Sequence, residues 1–301
     1  MRNRFAFTMI ELIFVIMIMG VLGKYGIEFL SQAYNNFIFS KINNNLQENS
    51  TNAIETIASR LQFRIKDSVV ARVSPDNGGV QSDYQALPSS TYDTNATILE
   101  WIGSDIEGFR GTTLPLWSGV IDLDPSTYNI LNTPETNTTA LNDLIDELSG
   151  GDSNISDAAI YFVGSASNIN RYGWDGNALI EQNTSSIHPI DIGSNVDEFI
   201  SGIAGVDFND TDVFEYYELS WTAYAVELNT TSHDLWLHYD YQPWNGDTYL
   251  KKSDNTKTKK ALIMKNVDTF RFMGVGSVIK IQVCAKSSVM EYSLCKEKTI
   301  F

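Results

Sequence analysis

Cysteine is nearly absent. Cys284 and Cys295 are the only two in 301 residues, too few for a disulfide framework and enough for one bridge. Three histidines, His188, His233 and His238, leave little material for His-based catalysis or a zinc site. Basic residues are scarce as well: 21 Lys+Arg face 37 Asp+Glu, a net charge of −16. A nucleic-acid binder needs a basic footprint to displace counterions, so that class is not expected. Adhesion to anionic lipid through surface charge is disfavoured for the same reason. Charged residues make up only 19% of the chain and hydrophobic ones 43%, which is not the balance of a disordered protein. The length allows one large domain or two small ones. Signatures of catalysis are missing too. There is no Gly-x-Ser-x-Gly, no His-Glu-x-x-His, no P-loop, and no Gly-x-Gly-x-x-Gly after a strand. Carboxylates are abundant, yet none has a distinguishing context, and no enzyme is expected.

What the chain does have is a long apolar run at its start. Arg2 and Arg4 precede Phe5–Gly23, in which only Thr8 and Glu11 are polar. About 20 apolar residues cross a bilayer core as a helix. Lys24 is the only base close behind, and Glu28 offsets it. The positive-inside rule places the N-terminus in the cytoplasm and the rest outside. Three readings compete. A cleavable secretory signal has a small-x-small site at Ser31-Gln32-Ala33, but Glu11 interrupts its apolar core, and Lys24, Glu28, Phe29 and Leu30 crowd the approach to the cut. An ordinary signal anchor leaves Glu11 unexplained. A carboxylate at membrane depth costs about 2.5–3.5 kcal/mol on insertion scales and calls for a partner.

The third reading supplies that partner. Phe5-Ala6-Phe7-Thr8-Met9-Ile10-Glu11-Leu12-Ile13 resembles the N-terminal signal of type IV pilins and type II secretion pseudopilins. The resemblance implies a leader, residues 1–6, removed by a prepilin peptidase between Ala6 and Phe7. It implies N-methylation of Phe7 and an assembly role for Glu11, the fifth residue of the mature chain. Ala6 stands where the family usually has Gly. Within a filament, the Phe7 amine of one subunit would meet Glu11 of its neighbour, and losing either partner would leave a buried charge uncompensated. The segment 7–30 would be the transmembrane and filament-core helix. Its partners would be other pilin or pseudopilin subunits and an inner-membrane assembly platform.

Beyond the apolar run, no proline occurs before residue 75. Ile54, Ile57, Ala58, Leu61, Ile65 and Val69 recur at threes and fours, one face of a helix. The helix is therefore expected to continue through 31–72. It would be roughly 95 Å long at about 1.5 Å per residue, with Gly20, Gly23, Gly26 and Asn43–Asn45 as weak points. Ser74-Pro75-Asp76-Asn77-Gly78-Gly79 ends it with turn chemistry. Residues 73–301 then read as a β-rich periplasmic head. Candidate strands are Thr97–Ile102, Val120–Leu123, Ala158–Val163, Ala178–Glu181, Glu215–Leu228, Leu235–Tyr241, Ala261–Met264, Thr269–Val275, Val278–Ala285 and Val289–Cys295. Thr139–Leu148 reads as a short acidic helix, and 245–260 as an exposed loop with a basic cluster at Lys257, Lys259 and Lys260. The fold class is α+β, a long N-terminal helix packed on a mostly antiparallel, pilin-like head.

The later strands, including Met264-Lys265-Asn266-Val267-Asp268-Thr269-Phe270-Arg271-Phe272, resemble those of J-type minor pseudopilins and large minor pilins. A leader of six residues would leave 295, with a charge of −18. A head of that bulk favours a tip or initiation role in a type IV pilus or type II secretion pseudopilus. A tip adhesin, an uptake receptor, or a membrane-anchored periplasmic protein of another kind are the alternatives. Many pilins close a C-terminal loop with a disulfide, which implies Cys284–Cys295. Free thiols remain open, since strand register decides the geometry. Asp207, Asn209 and Asp212 offer oxygens at loop spacing for calcium. The segment lacks the Gly and Glu of an EF-hand loop, so a solvated acidic turn is the simpler account. Trp221, Trp236, Trp244, Tyr239 and Tyr241 would suit a sugar platform, or the half-buried face of strands.

Overall fold

The computed structural model describes residues 8–75, 78–287 and 292–301. Two compact units divide the chain, Met1–Glu48 and Asn49–Phe301. Helix α1 (Met9–Leu61) begins in the first and ends in the second. It runs through Gly20, Gly23, Gly26 and Asn43–Asn45 without a break. Isolated glycines each cost about 1 kcal/mol of helix stability, and here they leave the helix continuous.

In the second unit α1 buries Ala53, Ile54, Ile57, Ala58 and Leu61. This is the stripe that the spacing of apolar residues predicts, and each large side chain contributes roughly 1.5–3 kcal/mol on burial. The helix was expected to reach residue 72, yet it stops at Leu61. No proline or glycine stops it. The backbone instead crosses to another strand: the Ile65 amide donates to the Ile102 carbonyl at 2.9 Å, and the Ser104 amide to the Phe63 carbonyl at 2.7 Å. Ile65 and Val69 stay buried but in extended chain, because β-branched residues serve a strand as readily as a helix face.

The elements that follow are β1 (Val70–Val73), β2 (Tyr84–Ala86), β3 (Ala96–Gly103), α2 (Ile106–Arg110), β4 (Leu131–Asn132), α3 (Thr138–Ser149) and β5 (Ala159–Phe162). Then come β6 (His188–Ile192), β7 (Glu198–Ser201), β8 (Tyr217–Ser220), β9 (Thr222–Asn229) and β10 (Asp234–Tyr241). The chain closes with β11 (Lys259–Met264), β12 (Val267–Val275), β13 (Val278–Lys286) and β14 (Ser293–Ile300). Three sheets result, in the orders β11-β10-β9-β3-β1-β2, β12-β13-β14 and β4-β7-β6-β5-β8. Their described pairings are antiparallel. The class is α+β, with a long apolar N-terminal helix and antiparallel sheets.

Several expected elements differ. The single run Glu215–Leu228 is two strands in different sheets: β8 pairs with β5, and β9 with β3. Val120–Leu123 and Ala178–Glu181 contribute only isolated bridges, such as Val120 to Tyr216 and Ala178 to Asn245. The expected loop 245–260 gives way to β11 at Lys259. Strands β1, β2, β4, β6 and β7 carry no strong alternation and escape a sequence reading. Part of the expected strand Val289–Cys295 lies outside the described residues.

Helix α3 is capped at Asn137, whose side chain accepts from the Ala140 amide, and ends at Gly150 with φ 68°. That left-handed position suits glycine. Leu141 and Ile145 of α3 pack with Ile160, Phe162, Phe199 and Leu219 under the five-stranded sheet. A second cluster joins Ile98, Ala225 and Tyr241 of the six-stranded sheet to Tyr172, Trp174 and Trp244 of the connections above it.

Candidate functional site

The first unit is an apolar rod. Large side chains from Met9 to Phe37 are exposed, between 40% and 83%, and the segment reaches a mean hydropathy of 2.0 over 18 residues. A helix of this length and composition suffices to cross a bilayer. Glu11 lies in its first turn. The Thr8 amide donates to Glu11 Oε2 at 3.2 Å, and Thr8 Oγ1 donates to the same oxygen at 3.1 Å. Glu11 therefore closes half of a capping box and meets the positive end of the helix dipole. Ala6 and Phe7 lie outside the described residues.

Several charges inside the head are paired with one another. Arg72 is fully buried, and its Nε meets Glu100 Oε2 at 2.6 Å. Its Nη1 donates to the Gln81 carbonyl and its Nη2 to the Trp174 carbonyl. Burial alone would lower the Arg72 pKa, but Glu100 reverses that and raises it. The Tyr241 hydroxyl donates to Glu100 Oε1 at 3.2 Å, and burial holds that hydroxyl well above its ordinary pKa. Further along the same sheet, His238 Nε2 lies 2.9 Å from Glu227 Oε2. These residues tie β1, β3, β9 and β10 to the connections above them.

A second tie crosses from β10 to the five-stranded lobe. Asp240 has φ 60° at a register slip between β9 and β10. Its carboxylate accepts from Ser153 Oγ at 2.7 Å and meets Lys259 Nζ at 2.9 Å. Lys259 also reaches Asp152 at 2.6 Å and the Ser149 carbonyl at the end of α3. Burial alone would lower the Lys259 pKa, but the two aspartates raise it, so the amine stays charged. Buried charges held this way are structural: unpaired, each would be costly.

Burial moves the pKa of two groups away from the ordinary value. Asp105 caps α2 and accepts from the Gly108 amide and Trp117 Nε1, both at 3.1 Å. Burial raises its pKa to about 6. His188 packs on Phe162 and its Nδ1 lies 3.1 Å from Gln182 Oε1. Burial lowers its pKa to about 4.

Of the residues singled out by sequence, Cys284 and Cys295 sit directly opposite on β13 and β14, joined by a disulfide with Cα atoms 3.9 Å apart. Asp207 Oδ1 accepts from the Asn209 amide at 3.0 Å, and Asn209 Nδ2 donates to Asp210. Asn209 thus turns its side chain to a neighbour. Among the described residues no cluster of His, Cys, Asp and Glu is arranged to hold a metal. Trp221, Trp244 and Tyr241 are buried; Trp236 and Tyr239 are half-buried, and Lys260 Nζ lies 4.4 Å above the Trp236 ring. A flat aromatic platform does not form.

Sequence reasoning missed the Arg72–Glu100–Tyr241 and Lys259–Asp240 ties. Glu100 gave one signal, a carboxylate inside the apolar run Thr97–Ile102, which calls for a buried counter-charge. Nothing local names Arg72 as that charge. No family model, no curated protein and no solved structure matches the chain.

Proposed function

We propose that the chain is a minor pilin or pseudopilin, a filament subunit held in the bacterial inner membrane by the first half of α1. Its leader, residues 1–6, is removed by a prepilin peptidase, and Phe7 becomes the methylated N-terminus. The head faces the periplasm until the subunit passes into a type IV pilus or a type II secretion pseudopilus. The observation that carries this reading is an exposed apolar half-helix with a lone carboxylate, Glu11, in its first turn. A membrane anchor alone gains only a helix cap from that carboxylate, whereas a subunit meeting a neighbour's amine makes use of its charge.

Mass spectrometry of the mature protein tests the processing. N-methyl-Phe7 is the expected terminus; an intact Met1, or a start at Tyr34, refutes the reading. The contact between Thr8 and Glu11 requires a sharper variant than simple deletion. Gln accepts the same capping bonds as Glu but carries no charge. Under the filament reading Glu11→Gln and Glu11→Val both stay in the membrane and both fail to enter filaments. Normal incorporation of Glu11→Gln would reduce Glu11 to a helix cap.

A further inference from the structure

Asparagine followed at the second place by Ser or Thr is the acceptor pattern of N-linked glycosylation. The chain has seven such positions, at Asn49, Asn95, Asn137, Asn154, Asn183, Asn209 and Asn229. Six of the seven share a further feature. A carboxylate stands two residues before the asparagine: Asp93, Glu135, Asp152, Glu181, Asp207 and Glu227. Only Asn49, with Gln47 in that place, departs. With 37 acids in 301 residues, chance would give about one such coincidence among seven. No proline stands beside any of the six asparagines.

The fold gives these acids no common task. Asp152 meets Lys259 at 2.6 Å and Glu227 meets His238 at 2.9 Å. Glu181 Oε2 accepts from Thr184 Oγ1, and Asp207 Oδ1 from the Asn209 amide. A shared spacing without a shared contact points to a reader outside the fold. The structure also sorts the six sites. At Asn137, Asn154 and Asn183 the acid and the asparagine are exposed, and the hydroxyl residue is exposed or half-buried. Asn137 caps α3, Asn154 caps the turn Ile155–Asp157 before β5, and Asn183 lies in the connection before β6. The carboxamide oxygens of Asn137 and Asn154 accept from the Ala140 and Ser156 amides, which engages the oxygen rather than Nδ2, the atom to be modified. The other three sites each hide one part. Thr97 and Glu227 are buried, and the Thr211 hydroxyl is enclosed.

We propose that Asn137, Asn154 and Asn183 are N-glycosylated by an oligosaccharyltransferase that reads the carboxylate two residues upstream. The donor is an oligosaccharide carried on a lipid pyrophosphate. Asn Nδ2 bonds to the anomeric carbon as the bond from that carbon to pyrophosphate breaks. The pyrophosphate leaves with the electron pair, Nδ2 gives up one proton, and nothing is oxidised or reduced. A basic group of the transferase pairs with the carboxylate through a charge-assisted hydrogen bond, which requires the acid to be exposed. A glycan is bulky and solubilising and needs open surface. Residues 1–48 and 232–301 hold no acceptor asparagine, so the apolar half of α1 and strands β11–β14 stay bare. The proposal rests on the head facing the periplasm, as the filament reading has it.

The test is mass spectrometry of proteolytic peptides from the full chain purified out of its source cells. Peptides holding Asn137, Asn154 and Asn183 are expected to carry one saccharide mass in common, and the peptide holding Asn49 to carry none. Asn137→Gln should remove the mass from its own peptide alone. The double variant Glu135→Gln/Glu181→Gln keeps every Asn-x-Ser/Thr intact. It is expected to lose the sugar at Asn137 and Asn183 and to keep it at Asn154, where Asp152 is untouched. Sugar retained at Asn154 shows that the variant still folds and still meets the transferase. Three bare peptides in the wild type overturn the proposal, and so does sugar kept at Asn137 and Asn183 in the double variant. Equal occupancy at Asn95, Asn209 and Asn229 overturns the selection by exposure. The N-terminal peptide of the same digest keeps the two readings apart. N-methyl-Phe7 beside bare asparagines refutes the glycosylation alone, whereas an intact Met1 beside glycosylated asparagines refutes the filament reading alone.

Discussion

Replacing Arg72 by Met should be the most damaging single change in the head. Arg72 and Glu100 are 2% and 1% exposed at their side chains. Met fills a similar volume, so little packing is lost. What is lost is the counter-charge of Glu100, along with the donors to Gln81 and Trp174. Only the Tyr241 hydroxyl, at 3.2 Å, would still serve the carboxylate. Breaking a buried pair from one side costs about 3–5 kcal/mol. In a domain of this size that lowers the melting temperature by roughly 6–20 °C. All six tryptophans lie beyond residue 100, so their fluorescence during thermal or urea unfolding of the full chain in detergent reports on the head alone. The converse variant, Glu100→Gln, should cost less, because Arg72 keeps two carbonyl acceptors. The double variant Arg72→Met/Glu100→Met should recover much of the loss, since an apolar replacement of a buried pair is often neutral. An Arg72→Met variant within about 1 kcal/mol of the wild type would refute this account. So would a double variant as unstable as the sum of its singles.

Asp105 and His188 should give the head opposed pH dependences. Burial raises Asp105 from 3.8 to about 6, so its contribution is full below pH 3.8 and is lost as pH rises through 6. Asp105→Asn should therefore gain on the wild type by up to about 3 kcal/mol between pH 4 and 7, and a flat difference in urea midpoints would contradict this. Burial lowers His188 from 6.5 to about 4, so its contribution is present above pH 6.5 and is lost as pH falls through 4. His188→Gln should gain on the wild type over that descent, again by up to about 3 kcal/mol; a constant difference from pH 7 to 4 would rule it out. Cys284→Ser/Cys295→Ser should cost about 2–3 kcal/mol by freeing a short loop and should raise amide exchange in β14 first. Unchanged exchange there would show that the sheet holds β14 unaided.

The helix and the later strands were legible because their signals are local. Val267–Val275 and Val278–Lys286 alternate along their own length, and the turn between them is short. The apolar run and the stripe at Ile54, Ile57 and Leu61 also need no partner to be seen. The end of α1 was not legible, because Ile65 leaves the helix to meet Ile102, a residue 37 positions away. The split of Glu215–Leu228 was hidden for the same reason. Both halves look like strand, and only the choice between β5 and β3 as neighbour separates them. Strands β6 and β7 are short, and His188 and Pro189 dilute the pattern of β6.

The candidate site divides along the same line. Glu11 stands out because its surroundings in sequence are its surroundings in the helix, and an odd residue in an apolar run is visible in either. Buried ties behave differently. Lys259 looked like part of an exposed basic cluster with Lys257 and Lys260, yet it is bound to Asp152, Asp240 and the end of α3. Lys260, the next residue of β11, faces the other side of the strand and lies over the Trp236 ring. One lysine in the cluster therefore helps hold the head together, while Lys257 and Lys260 stay exposed. Composition cannot make that distinction; it counts all three alike. The division explains how a chain of net −16 still presents a basic edge. Its aspartates neutralise Lys259 and leave Lys257 and Lys260 exposed at the end strand of the six-stranded sheet.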